Sequence, residues 1–183
     1  MRSLSYTYVF YDIANAADTI ENFAQVEYSK VDSVASANQI ITYVYTPNGS
    51  KVQVIQRAYN AAEAAQAYYY TISTYPNVIV KSKATTNYNC HSYAWYSQDV
   101  NNNVYWMNDP ALYISDGSYK KLGKKALGQK VCYIKGTKEY VHSGIVYSLS
   151  NGKTTIISKW GAGPLVCHEV SYCPYSGTPT YFK

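Results

Sequence analysis

Apolar and polar positions alternate along much of this chain, and strand-like alternation outweighs helical spacing. Residues 5–11, Ser-Tyr-Thr-Tyr-Val-Phe-Tyr, read as a strand. From Ala14 to Val34 the apolar positions Ile20, Phe23, Ala24, Val26, Val31 and Val34 give an imperfect helical pattern. Residues 40–56 form two alternating runs around Pro47-Asn48-Gly49. They predict a hairpin, because Asn-Gly accepts the positive φ of a tight turn. The Ala-rich stretch 60–72, with Asn60 placed to cap it, predicts a helix that Pro76 ends.

The second half changes character. A polar approach, Thr85-Thr86-Asn87-Tyr88-Asn89, leads into a helix predicted over 90–98, which the Asn-rich residues 99–104 close. From Lys130 onward strands are predicted at 131–134, 142–149, 154–160 and 165–170, with Ser150-Asn151-Gly152 as a second hairpin turn. The expected fold class is α+β. Residues 1–80 form an N-terminal α/β portion, and residues 81–183 carry a helix followed by an antiparallel sheet.

Composition narrows the function classes. Of 183 residues 47% are apolar and only 15% charged, while Tyr occurs 23 times, so Tyr, Ser, Thr and Asn must supply much of the polar surface. That balance suits an exported bacterial protein. Residues 1–10 lack the apolar segment of a signal peptide, so a secreted or cell-surface protein given without its leader is the expectation. No apolar run is long enough for a membrane span. The net charge of +5 is mild. Its one basic cluster, Lys120, Lys121, Lys124 and Lys125, lacks the arginines and interleaved aromatics of a nucleic-acid surface. The sequence leaves the oligomeric state open.

The four cysteines include no Cys-x-x-Cys pair. Cys167, His168 and Cys173 fit no familiar zinc spacing, so neither metal nor cofactor is expected. Phosphate-binding, zinc-protease and serine-hydrolase motifs are all missing from the sequence.

What remains is Asn89-Cys90-His91-Ser92-Tyr93-Ala94-Trp95. A cysteine at a helix start has its thiolate favoured by the first-turn N–H groups, and an imidazole can complete the activation. His91 follows Cys90 directly and points about 100° away on a helix, so it is not the expected partner. His142, opening the predicted strand 142–149, is the expected base.

These residues, in this order, resemble the NlpC/P60 and CHAP group of papain-like cysteine peptidases and amidases. Gly128-Gln129-Lys130-Val131-Cys132-Tyr133 is similar to the strand that precedes the histidine in that group. His142-Ser143-Gly144-Ile145-Val146-Tyr147 is similar to the histidine strand. The Asn-Cys-His-Ser-Tyr-Ala-Trp-Tyr and Ser-Lys-Trp-Gly stretches also resemble poorly characterised secreted Firmicute proteins of this superfamily. The likeness covers residues 81–175.

It implies a papain-like unit with the Cys-bearing helix on an antiparallel sheet, in which Cys90 attacks an amide carbonyl and His142 serves as base. A peptide or peptidoglycan substrate is implied, with Tyr88, Asn89, Ser92 and Trp160 as substrate-side residues. The chain has Asn89 where that group usually has an acid. The third catalytic member should fall near Ser158 or Lys159, with His168 as the replacement on the next strand. Three other outcomes stay open: acyl transfer or deamidation by the same residues, a catalytically idle surface-binding module, and residues 1–80 acting as a pro-segment that blocks the cleft.

Overall fold

The computed structural model describes residues 39–183. The strand expected at 5–11 and the helix expected at 14–34 lie outside the described residues. Strands β1 (Ile40–Tyr45) and β2 (Lys51–Gln56) pair antiparallel in the register Tyr45↔Lys51 to Ile40↔Gln56. The turn between them places Gly49 at φ 85°, a conformation that favours glycine. Val44, Val52 and Val54 point inward from this hairpin. Helix α1 (Ala61–Thr74) begins where Asn60 Oδ1 accepts from Glu63 N at 3.1 Å.

The main sheet has seven antiparallel strands in the order β3-β8-β7-β6-β5-β9-β4. Their ranges are β3 Ile79–Ser82, β4 Lys121–Leu122, β5 Lys130–Lys135, β6 Glu139–Ser150, β7 Lys153–Lys159, β8 Leu165–Glu169 and β9 Thr178–Phe182. A short helix α2 (Ala111–Ser115) precedes β4. The β6–β7 turn holds Asn151 at φ 51° and Gly152 at φ 74°, the pair of positive values a two-residue hairpin turn demands. The fold is therefore α+β with an antiparallel sheet and few helices, as expected.

Each face of the sheet has its own core. On one face, Cys132, Ile145, Leu165 and Phe182 pack with Tyr88, Tyr93, Trp95, Tyr113 and the hairpin valines. On the other, Val131, Tyr133, Val146 and Ile156 make a smaller cluster with Val141, Val170 and Cys173. The first is called the helix face below, because the segment carrying Cys90 packs there.

The described residues belong to one compact unit that runs across residue 80. β3 is an edge strand on β8, the hairpin valines share the core of Tyr88 and Trp95, and Ile55 exchanges backbone hydrogen bonds with Trp106 at 2.8 Å.

Candidate functional site

Cys90 sits at a helix start, held there by its neighbour. Asn89 Oδ1 accepts from Ser92 N at 3.1 Å and from Met107 N at 3.2 Å, while Asn89 Nδ2 donates to Met107 O at 2.8 Å. One amide side chain thus caps the helix and ties it to the loop before α2. The segment is not the regular α-helix expected over 90–98, since Ser92–Tyr96 is a single π-helical turn. Its far end is held by Lys130 Nζ, which donates to Ala94 O. Burial pulls the Lys130 ammonium down to about 8.

The register of β5 with β6 decides where His142 points. β5 pairs with β6 as Cys132↔Ser143 and Tyr133↔His142, then slips to Ile134↔Tyr140, leaving Val141 as a bulge. Simple alternation would put Tyr140 and His142 on one face. The bulge moves Tyr140 to the helix face and Val141 to the other, while His142 keeps the face of its partner Tyr133, opposite Ser143.

Ser143 then returns to the helix face, where it is a hub. His91 Nδ1 and Ser143 Oγ are 2.8 Å apart, Trp95 Nε1 donates to Ser143 Oγ at 2.8 Å, and Cys132 Sγ lies 3.5 Å away. His91 also hydrogen-bonds the Tyr140 carbonyl. Burial pulls His91 down to about 4, so at neutral pH it is an uncharged link between helix and sheet. Burial also pushes the Cys132 thiol up to about 12, with nearby Cys90 adding to the rise. Cys132 is thus disfavoured as a thiolate.

His142 lies in different company. Its ring stacks on Tyr175 at 4.1 Å between centroids and 3° between planes, and sits 5.5 Å from the Tyr133 ring. It is 0% exposed, and neither ring nitrogen has a hydrogen-bond partner among the described residues. The expected Cys90–His142 pair is therefore not assembled: no hydrogen bond joins them, and His142 faces away from the helix that carries Cys90.

The three expectations for a third member separate in the same way. Ser158 Oγ and His168 share the face of His142 and are bonded to each other, 2.9 Å from Oγ to Nε2. Lys159 projects to the helix face, where its ammonium donates to Thr85 O at 2.9 Å and Gly161 O at 2.6 Å. His168 Nδ1 donates to the Glu169 carbonyl at 2.8 Å, and burial pulls this imidazole down to about 4.

Tyr88, Asn89, Ser92 and Trp160, expected to meet substrate, are all buried. Ser92 Oγ donates to Asn103 Oδ1 at 2.9 Å, and Trp160 donates to Ser158 Oγ at 3.1 Å while packing edge-on against Tyr75. They hold the core rather than line a cleft.

Two features escaped sequence reasoning. Cys173 is brought back by the loop after β8, so that its Sγ and one nitrogen each of His142 and His168 lie within 4.8 Å of one another. A shallow groove of about 260 Å³ also lies against β2 and α2, lined by Val52, Ile55, Trp106, Asn108, Asp109 and Leu112. The guanidinium of Arg57 stacks 4.7 Å from the Trp106 ring centre. Compared with known family models, curated proteins and solved structures, the chain matches none.

Proposed function

We propose that this chain is a binding module for cell-surface peptides or wall polymer, built on a papain-like plan but not using Cys90 and His142 as a catalytic pair. One observation carries the reading. His142 pairs in register with Tyr133 and shares its face of the sheet, opposite the Cys90 helix, so it is not placed as the base that the resemblance implies. Burial of Cys90 at 6% exposure works in the same direction. The groove beside Trp106 supplies an aromatic wall for stacking and, in Asp109, a carboxylate for an amino group of the ligand. The net charge of +5 favours anionic surroundings such as a wall polymer.

Incubation with purified peptidoglycan tests this. The protein should co-sediment with the insoluble polymer, Trp106→Ala should weaken that at least several-fold, and no new amino groups should be released. Amino-group release that Cys90→Ala abolishes would overturn the reading in favour of amide hydrolysis. The position of Cys90 beside the Asn89 cap is what favours that second reading. Acyl transfer or deamidation would draw on the same thiol.

A further inference from the structure

The inner residues of β6 and β8 and the loop after β8 converge on the face away from Cys90. Three chemically matched groups meet there: the imidazoles of His142 and His168 and the thiol of Cys173, their ligating atoms within 4.8 Å of one another. His142 is fully buried, and neither of its nitrogens has a hydrogen-bond partner among the described residues. Leaving a buried polar atom unsatisfied costs about 1–3 kcal/mol, so such an imidazole calls for a ligand.

We infer that His142, His168 and Cys173 form a binding site for a transition-metal ion of the zinc class, held by two imidazole nitrogens and one thiolate.

The surroundings suit that ligand set. The Glu169 carbonyl takes the Nδ1 proton of His168, which leaves Nε2 as its lone-pair nitrogen. Ser158 Oγ now donates to that nitrogen and also accepts from Trp160 Nε1, so on metal binding it can release Nε2 and keep one partner. Tyr175, stacked on His142, fixes the orientation of its ring. The Tyr175 backbone N–H hydrogen-bonds Cys173 and a contact of this kind steadies a thiolate, while the Tyr133 hydroxyl beside it donates its proton to Val170 O at 2.9 Å. Ligating atoms around a tetrahedral zinc are about 3.5 Å apart, so the three groups need draw together by only about 1 Å. Binding replaces the Cys173 S–H bond with a metal–sulfur bond and releases one proton to solvent, while both imidazoles bind as neutral rings. Two imidazoles and a thiolate favour zinc-class ions over calcium or magnesium, which take oxygen ligands. Cys167, the immediate neighbour of His168, alternates to the helix face beside Tyr93 and takes no part.

The inference stands independently of how Cys90 behaves. Its test is titration of the chelator-stripped full chain with Co²⁺ alone, then displacement by Zn²⁺. One equivalent should bind, giving a near-ultraviolet thiolate-to-cobalt band and intense visible bands of a tetrahedral site. Cys173→Ser should remove the thiolate band and weaken Zn²⁺ binding at least about 100-fold, and Cys167→Ser should change neither. In the wild type, Zn²⁺ should protect Cys173 from alkylation as mapped on peptides, a readout that needs no variant to fold. Absence of one-equivalent binding, a thiolate band that survives Cys173→Ser, or Cys173 alkylated equally with and without Zn²⁺ would overturn the inference.

Discussion

His142 and Ser143 are consecutive residues of β6 that serve opposite faces of the sheet. His142 stacks on Tyr175 on one side, and Ser143 binds His91 and Trp95 on the other. Ser143 is therefore what joins the Cys90 helix to the strand. Ser143→Ala would leave the Trp95 N–H and the His91 nitrogen buried and unsatisfied, at a cost of about 2–4 kcal/mol. Urea unfolding of the variant should show its midpoint lowered accordingly, and an unchanged midpoint would mean the hub contributes little.

The next position along β6, Gly144, tolerates no side chain. A Cβ there would meet Ile156 Cγ2 at 2.6 Å, Ile157 O at 2.9 Å and Ser158 Cβ at 2.9 Å. Because one of these is backbone, relief requires β6 and β7 to separate. Gly144→Ala should destabilise by at least about 1–3 kcal/mol, read by thermal unfolding, whereas Gly123→Ala, with open space around it, should be close to neutral.

Asn89 makes three hydrogen bonds with one amide, two of them to the Met107 backbone. Asn89→Ala should cost about 2 kcal/mol or more. Asn89→Asp keeps the two acceptor bonds and loses the donor to Met107 O, so it should fall between wild type and Ala. Equal stability of all three proteins would remove the cap from the account.

Acid should unfold this protein through its histidines. In the folded chain burial keeps His91 uncharged down to about 4, while an unfolded histidine takes its proton near 6.5. Between those values the unfolded state binds more protons, so stability is full above pH 6.5 and falls as the pH drops towards 4. The slope is about 1.4 kcal/mol per pH unit for each such imidazole. His168 adds in the same direction, also held to about 4, and His142 is depressed by burial and by the other two histidines. Unfolding free energies at pH 7 and pH 5 should differ, and His91→Gln should reduce the difference.

Much of the fold was legible because local chemistry dictated it. Asn48-Gly49 and Asn151-Gly152 marked both hairpin turns, Asn60 marked the start of α1, and alternation marked β5 to β8. β9 was missed because Pro179 breaks a strand pattern. The proline is tolerated because β4 pairs only with Tyr181 and Phe182, so at Pro179 the strand has β5 alone as a neighbour. The site was read less well for a similar reason. The alternation of His142 with Ser143 and Ile145 is plain in the sequence, but nothing there marks which face of β6 the Cys90 segment packs on. Cys173 reaches His142 through the loop after β8, a long-range contact with no periodic signature.

The most direct test of the two-faced arrangement is the pH dependence of Cys90 alkylation, followed by peptide mapping in the wild type and in His142→Ala. The account predicts slow reaction below pH 8 and the same pH profile in both proteins, because His142 stands on the other side of the sheet. A Cys90 that reacts rapidly well below pH 8, and loses that reactivity in His142→Ala, would show the two residues acting as a pair and would contradict it.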